Sequence, residues 1–383
     1  MSMRPVSIVG IGSVPVEKAS AASLRQMGAA AVHQAMANAG VDKVDALFAG
    51  NMLSDELQGQ KHVAALIADE AQLRCVEALE VRAATATGAA ALRMAYLAVA
   101  SGEADLAIAV GAEKMSEGIA TPALTKALDA QDEVPAGATM IGQNAELMRL
   151  YSERYRVPAD AFVNFAVNAH RNARHNPQAL FQNRRVTARD VLASRIVNPP
   201  LHLLDCAPIC DGAAAVVLAP RQQARAHTDR PVHILSSSVV TDRFRLRDRR
   251  DSLCLEAASL SAQTAFRRAN VNRNDVSLFE AHDAFSIMAC LLLEAVGFAR
   301  PGQGWRLAAE NAIALRGRIP ISTMGGLKAR GHPIGATALY QTCEIVLQLT
   351  GRAGKNQVTK AQVALLQSVG GVASTVITHV FGT

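Results

Sequence analysis

The sequence predicts an α/β protein built from two copies of one strand–helix unit, with a loop-rich insertion between them. Three observations carry that expectation. RPVSIVGIGSV at 4–14 is answered by RPVHILSSSVV at 230–240, each an apolar run suited to a buried strand. AMANAGVDKVDALFAG at 35–50 is answered by AFRRANVNRNDVSLFEA at 265–281, in each case an amphipathic helix, a short turn and a strand. Half of the 383 residues are apolar but only 4% are aromatic, so the core must be closely packed from small aliphatic side chains, as helices on a sheet allow.

The remaining elements follow in chain order. Strand-like VRAATA at 81–86 passes through Gly88 into a helix ending near Ser101-Gly102, followed by the strand DLAIAV and the turn GAEKMS at 111–116. Residues 116–200 break the alternation with Pro, Gly, Gln and Asn and several short helical runs, the pattern of an insertion covering one end of a sheet. DGAAAVVLAP at 211–220 reads as the closing strand of the first half. In the second half, IPISTMGGLKARGHPIG at 319–335 leads into ATALYQTCEIVLQL, then VALLQSV and GGVASTVITHVF. The expected domains are 1–115 with 201–228, the insertion 116–200, and 229–383. Both halves thus place a loop at a helix N-terminus, where N–H groups favour developing negative charge.

Charge and cysteine usage narrow the function classes. The net charge of +6 comes from scattered Lys and Arg rather than a basic stripe with interleaved aromatics, so nucleic acid is not an expected partner. The exception is TDRFRLRDRRD at 241–251, readable either as a solvated loop or as a phosphate-facing patch. Six cysteines, at 75, 206, 210, 254, 290 and 343, lack both CxxC spacing and a secretory pairing pattern; reduced thiols, a cytoplasmic location and no metal site are expected. The longest apolar run, IMACLLL, stops at Glu294, so no membrane insertion is expected.

GGLKARGHPIGATALYQ at 325–341, EAHDAFS at 280–286, VGAEKMS at 110–116, NP at 176–177 and DGAAAVVLAP together resemble the thiolase family over essentially the whole chain, and most closely its sterol-carrier-type (SCP2-like) branch. The resemblance implies the thiolase fold, five-layered α/β/α/β/α, coenzyme A as part of an acyl-CoA substrate, and a homodimer or dimer of dimers. Thiolases pass an acyl group through a cysteine thioester. The family's CASG elbow corresponds to Thr85-Ala86-Thr87-Gly88, so threonine occupies the nucleophile position; its second cysteine corresponds to Ala284 in HDAF or Ser368 in SVG. His332 corresponds to the activating histidine, His282 to the group polarising the thioester, and the N–H groups of Thr85 and Gly370 to an oxyanion hole.

Three functions remain open on this pattern. Without its cysteines the site retains what is needed for an enolate but not for a covalent intermediate, which suits retro-aldol cleavage of a 3-hydroxyacyl-CoA or a related reaction. Some thiolase-like proteins lacking the cysteine are aldolases of this kind with a small OB-fold partner. The alternatives are a non-catalytic acyl-CoA-binding or scaffold subunit, and an acetyl-CoA C-acetyltransferase as the overall resemblance implies. The candidate catalytic group is Thr85, His282, His332, Ser368 and Gly370; Arg243, Arg245 and Arg247 are the candidate contacts to the CoA phosphates.

Overall fold

The computed structural model describes residues 3–383. The first half runs β1 (Val6–Ser13), α1 (Leu24–Ala39), β2 (Ala46–Gly50), α2 (Ser54–Leu57), α3 (Val63–Glu70), β3 (Glu77–Val81), α4 (Thr87–Ser101) and β4 (Ala107–Lys114). Residues 116–200 carry α5 (Ala120–Thr125), α6 (Met140–Tyr155), α7 (Val163–Ala173), α8 (Ala188–Ala193) and β5 (Ile196–Asn198), which forms a hairpin with β6 (Leu201–His202) just past the expected end of the insertion. Strand β7 (Asp211–Pro220) closes the first half. The second half runs β8 (Val232–Thr241), α9 (Glu256–Ala269), β9 (Leu278–Ala281), α10 (Ser286–Ala295), α11 (Gly304–Ala309), α12 (Thr337–Leu349), β10 (Val363–Gly370) and β11 (Thr375–Gly382).

The strands form one nine-stranded sheet in the order β3-β2-β4-β7-β1-β8-β11-β10-β9. The duplication is written in that order. Outward from the seam the first half reads β1, β7, β4, β2, β3 and the second reads β8, β11, β10, β9, so each strand meets its sequence counterpart reflected across β1 and β8. The counterpart of β3 is reduced to a bridge, Ile321 beside Phe279 of β9. The seam itself is short: Val6, Ser7 and Ile8 pair with Ile234, His233 and Val232.

Three apolar clusters hold the layers together, one on each outer face and one around the central helices. Helices α1 and α3 cover the outer face of the first half-sheet through Met27, Val32 and Ile67 against Leu47 and Val217. Helices α9 and α10 cover the second through Ala262, Ile287 and Leu291 against Leu365 and Val380. Between the half-sheets lie α4 and α12, which touch each other, and α12 contacts strands of both halves. Twelve of its thirteen residues are buried, including a polar stripe at helical spacing, Thr337, Gln341, Glu344 and Gln348, whose side chains find partners inside the protein in Pro333, Ala281, Arg330 and Asn356.

The strand expected over 81–86 is displaced. Strand β3 ends at Val81, and residues 82–86 turn into α4 instead. The Thr87 hydroxyl donates to the Ala84 carbonyl at 2.6 Å and accepts from the Ala83 N–H at 2.9 Å, closing the turn, and Ala84 takes a left-handed φ of 48°. For a non-glycine residue that conformation costs about 1 kcal/mol and is held by the surrounding bonds.

The insertion docks through one face of α7 and the turn after it. Asn168, Asn172 and Asn176, four apart, donate side-chain N–H bonds to the carbonyls of Ile321, Ser322 and Met324 at 3.1, 3.0 and 2.8 Å. This ladder satisfies the carbonyls of a segment that has no full strand beside it. It also fixes the start of the GGLKARGHPIG loop.

Candidate active site

Two glycines bring the loops of the two halves together. A Cβ at Gly88 would meet the Gly335 carbonyl oxygen at 2.6 Å, and a Cβ at Gly335 would meet the Gly50 carbonyl oxygen at 2.5 Å. Only glycine permits this backbone approach, which seats the HPIG turn against the N-terminus of α4. A buried carboxylate locks it. Glu113, at the end of β4, accepts from Gly335 N–H at 2.9 Å and Met52 N–H at 3.0 Å on one oxygen, and from Leu53 N–H at 3.0 Å and the Asn51 amide at 2.9 Å on the other. Burial pushes the Glu113 carboxyl up to about 7 against the pull of these N–H groups.

At this junction a cavity of about 270 Å³ opens, its wall including Thr85, His282 and His332. The rest is mainly apolar: Met115, Leu124, Met140, Phe285, Met288 and Ile334 among others. The imidazoles of His282 and His332 meet edge to face, with ring centroids 5.1 Å apart. Burial is the first cause that holds both below the ordinary histidine range, His282 at about 4 and His332 well below it; for His332 the neighbouring His282 and Arg330 add to the effect. Both rings are therefore neutral near pH 7.

His332 has a defined tautomer. The Thr337 hydroxyl lies 2.7 Å from His332 Nδ1 and 3.1 Å from the Pro333 carbonyl oxygen. Both contacts are satisfied when the hydroxyl donates to the carbonyl and accepts from Nδ1–H, which leaves Nε2 with its lone pair free. His282 is held differently: its Nδ1 has no partner, and its position is set through its neighbour. Asp283 accepts from Lys328 Nζ at 2.9 Å, the Ser322 hydroxyl at 2.9 Å and Leu327 N–H at 2.7 Å. Burial would raise the Asp283 carboxyl, but Lys328 and these hydrogen bonds bring it below the usual carboxylate range.

Thr85 is on the cavity wall, but its hydroxyl is already committed. Oγ1 donates to the Val369 carbonyl at 2.5 Å rather than to a histidine. Ser368 and Gly370 flank that carbonyl without lining the cavity, whose wall here is Val369 and Gly371. Alternation along β10 gives the reason: Ser368 shares a face with Ala364 and Leu366, which pack into the central layer, and its buried hydroxyl has no partner. The structure thus gathers Thr85, His282 and His332 and leaves the Ser368 side chain behind the wall.

The arginines lie elsewhere. Arg245 pairs with Asp132 and, at 2.6 Å, with Asp248, while Arg247 is 3.6 Å from Asp132 and Arg243 is exposed. Of the three only Arg247 lines a second cavity, which shares Thr139 with the first. Sequence reasoning missed Asn144, Arg195 and Cys206 on the main wall. Of these only Cys206 had a signal, its place in the CAPIC segment just before β7. Burial pushes its thiol up to about 12, so it is a protonated thiol rather than a nucleophile.

A duplicated α/β chain with a mostly apolar cavity and two neutral histidines at the junction of its halves defines an enzyme-like scaffold suited to proton transfer in a sheltered site. Comparison with known proteins narrows it. The family model for the thiolase N-terminal domain matches residues 6–222, and that for the thiolase C-terminal domain-like region matches 238–383. An acetyl-CoA acetyltransferase of Methanothermobacter thermautotrophicus is 39% identical over 382 residues, covering 99% of this chain and all of the relative. Sterol carrier protein 2 of Homo sapiens is 28% identical over 98% of this chain and 72% of its own length. A solved structure described as the Ltp2-ChsH2(DUF35) aldolase superposes with a TM-score of 0.87 over 99% of this chain and 98% of that one, at 23% identity. The chain belongs to the thiolase family, in its SCP2-like branch.

Proposed function

We propose that the protein cleaves a carbon–carbon bond in a 3-hydroxyacyl-CoA by a retro-aldol reaction, with no covalent acyl-enzyme. The observation that carries this reading is the hydrogen bond from Thr85 to the Val369 carbonyl, which occupies the proton a nucleophilic hydroxyl would have to surrender to a base. In the proposed reaction His332 Nε2 takes the proton of the substrate's 3-hydroxyl. The electron pair of the bond between carbons 2 and 3 moves onto the thioester, giving an aldehyde and a CoA enolate. His282 and the N–H group of Thr85 stabilise the enolate oxygen. The protonated His332 then returns its proton to carbon 2, releasing a shortened acyl-CoA, so atoms and charge balance without a redox partner. The CoA phosphates fall to Arg243, Arg245 and Arg247. The Ltp2-ChsH2(DUF35) aldolase of similar fold supports this reading, and its double name suggests a partner protein for this chain too.

The second reading is acetyl-CoA C-acetyltransferase, favoured by the 39% identical relative of that name. The two separate in one experiment. Wild type and Thr85→Ala are each given a 3-hydroxyacyl-CoA, or acetoacetyl-CoA with free CoA. Aldehyde release by both proteins at rates within about threefold, with no thiolysis, is the expected result. Thiolysis by the wild type that disappears in Thr85→Ala would establish the acetyltransferase instead, and silence with every substrate would leave a non-catalytic subunit.

The lowered histidine pKa values give this activity a pH signature. An ordinary histidine base is half protonated at about pH 6.5. Because burial holds His332 and His282 below that range, both stay neutral as pH falls through it. The expected kcat/KM for cleavage is therefore flat from pH 8 to about 6, with the acid limb at lower pH. A fall centred at the ordinary histidine value would show that neither buried ring is the base.

A further inference from the structure

We infer that the ligand of the main cavity presents a hydrogen-bond donor, a hydroxyl or an amide N–H, to the side-chain oxygen of Asn144. The inference deepens the proposed function and rests on its placing of an acyl-CoA in this cavity. Asn144 lies in the first turn and a half of α6, is 1% exposed, and forms part of the wall that holds Thr85, His282 and His332. Its amide cannot be turned round. Nδ2 donates to the Met140 carbonyl at 2.9 Å, and a flipped amide would set two oxygens against each other there. Oδ1 is thereby fixed as the group left over, and it has no partner.

An unpaired acceptor in this position is unusual for its surroundings. Met140, Ile141, Val197, Phe285 and Met288 line the same cavity and offer no side-chain donor. A leucine at 144 would fit the apolar layer formed by Ala145, Leu147 and Met148 and would continue the helix. Retaining an amide there costs stability unless a ligand completes it. Only a donor does so: a ketone, a plain acyl chain or a carboxylate gains nothing from Oδ1. In a 3-hydroxyacyl-CoA the donors are the hydroxyl on the acyl chain and those of the CoA portion, nearest the thioester the amide N–H groups and hydroxyl of the pantetheine arm.

Affinities of 3-hydroxybutyryl-CoA and butyryl-CoA for the wild type and for Asn144→Leu, by calorimetry, test the assignment and separate the acyl hydroxyl from the CoA donors. A loss of about tenfold for the hydroxy ligand alone identifies the acyl hydroxyl; an equal loss of about tenfold for both identifies a donor of the CoA portion. Affinities of both within twofold of the wild type overturn the inference while leaving the proposed function standing. Failure of the wild type to bind either ester removes both. The thermal midpoint of Asn144→Leu, expected at or above that of the wild type, verifies folding; if leucine is not accommodated, Asn144→Ala is read in the same way.

Discussion

His332→Ala is expected to lower the rate of 3-hydroxyacyl-CoA cleavage by about three orders of magnitude, because a positioned general base contributes 10²–10⁴-fold. The loss should fall on kcat and kcat/KM together, since the imidazole acts on a proton in flight rather than on ground-state binding. Stability should change little, as the ring is bonded only through Thr337. Thr337→Val is the companion variant. It keeps the shape of the side chain but removes the oxygen that accepts from Nδ1, freeing the ring to rotate or change tautomer, and an intermediate loss of about tenfold is expected. Unchanged cleavage in His332→Ala would remove this residue from the mechanism, and with it the present account of the proton's path.

Lys328→Met is the second large effect, and it is thermodynamic. Lys328 and Asp283 are each 1% exposed and form an ion pair at 2.9 Å. Removing the cation strands a buried carboxylate, which costs about 3–5 kcal/mol at neutral pH. In the wild type the folded pKa of Asp283 is depressed, so its stabilising contribution is present above the unfolded carboxylate value and is lost as pH falls through the lower folded one. In Lys328→Met burial acts with less opposition, the folded pKa rises, and the carboxyl can take up a proton. The stability deficit measured by urea unfolding should therefore be smaller at pH 5 than at pH 7.5. A deficit independent of pH would mean that lost packing of the lysine stem, not charge, is the cause. Because Lys328 also donates to the Asp283 carbonyl at 2.8 Å, the variant should disturb the adjacent His282 and slow catalysis in whatever fraction stays folded.

Much of the fold was legible because duplication is a property of the whole pattern. The paired runs at 4–14 and 230–240 became β1 and β8, the two strands that meet at the seam, and 211–220 became β7 residue for residue. The displaced β3 shows where local reading fails. Alternation alone could not locate the turn at 82–86, because what ends the strand is a side chain, Thr87, bonding backward to the backbone. The site divided in the same way. Histidines in glycine-rich or motif contexts could be read from the sequence. Ser368 could not be placed, because its orientation depends on strand parity, and Asn144 carried no signal, since an unsatisfied oxygen exists only in three dimensions.

The position of α12 has a kinetic consequence. Its apolar surface is covered on one side by strands of the first half and on the other by strands of the second, which are joined directly by only three residue pairs. A chain in which one half has formed and the other has not would expose that helix, or the face of α4 awaiting it. Assembly of the two halves should thus be the slow step of refolding, with yield falling as protein concentration rises. Since the cavity lies at the same junction, ligand-binding competence should appear only with that step, later than most of the helical signal. The chemistry of this protein is in that sense a reporter of its own completed assembly.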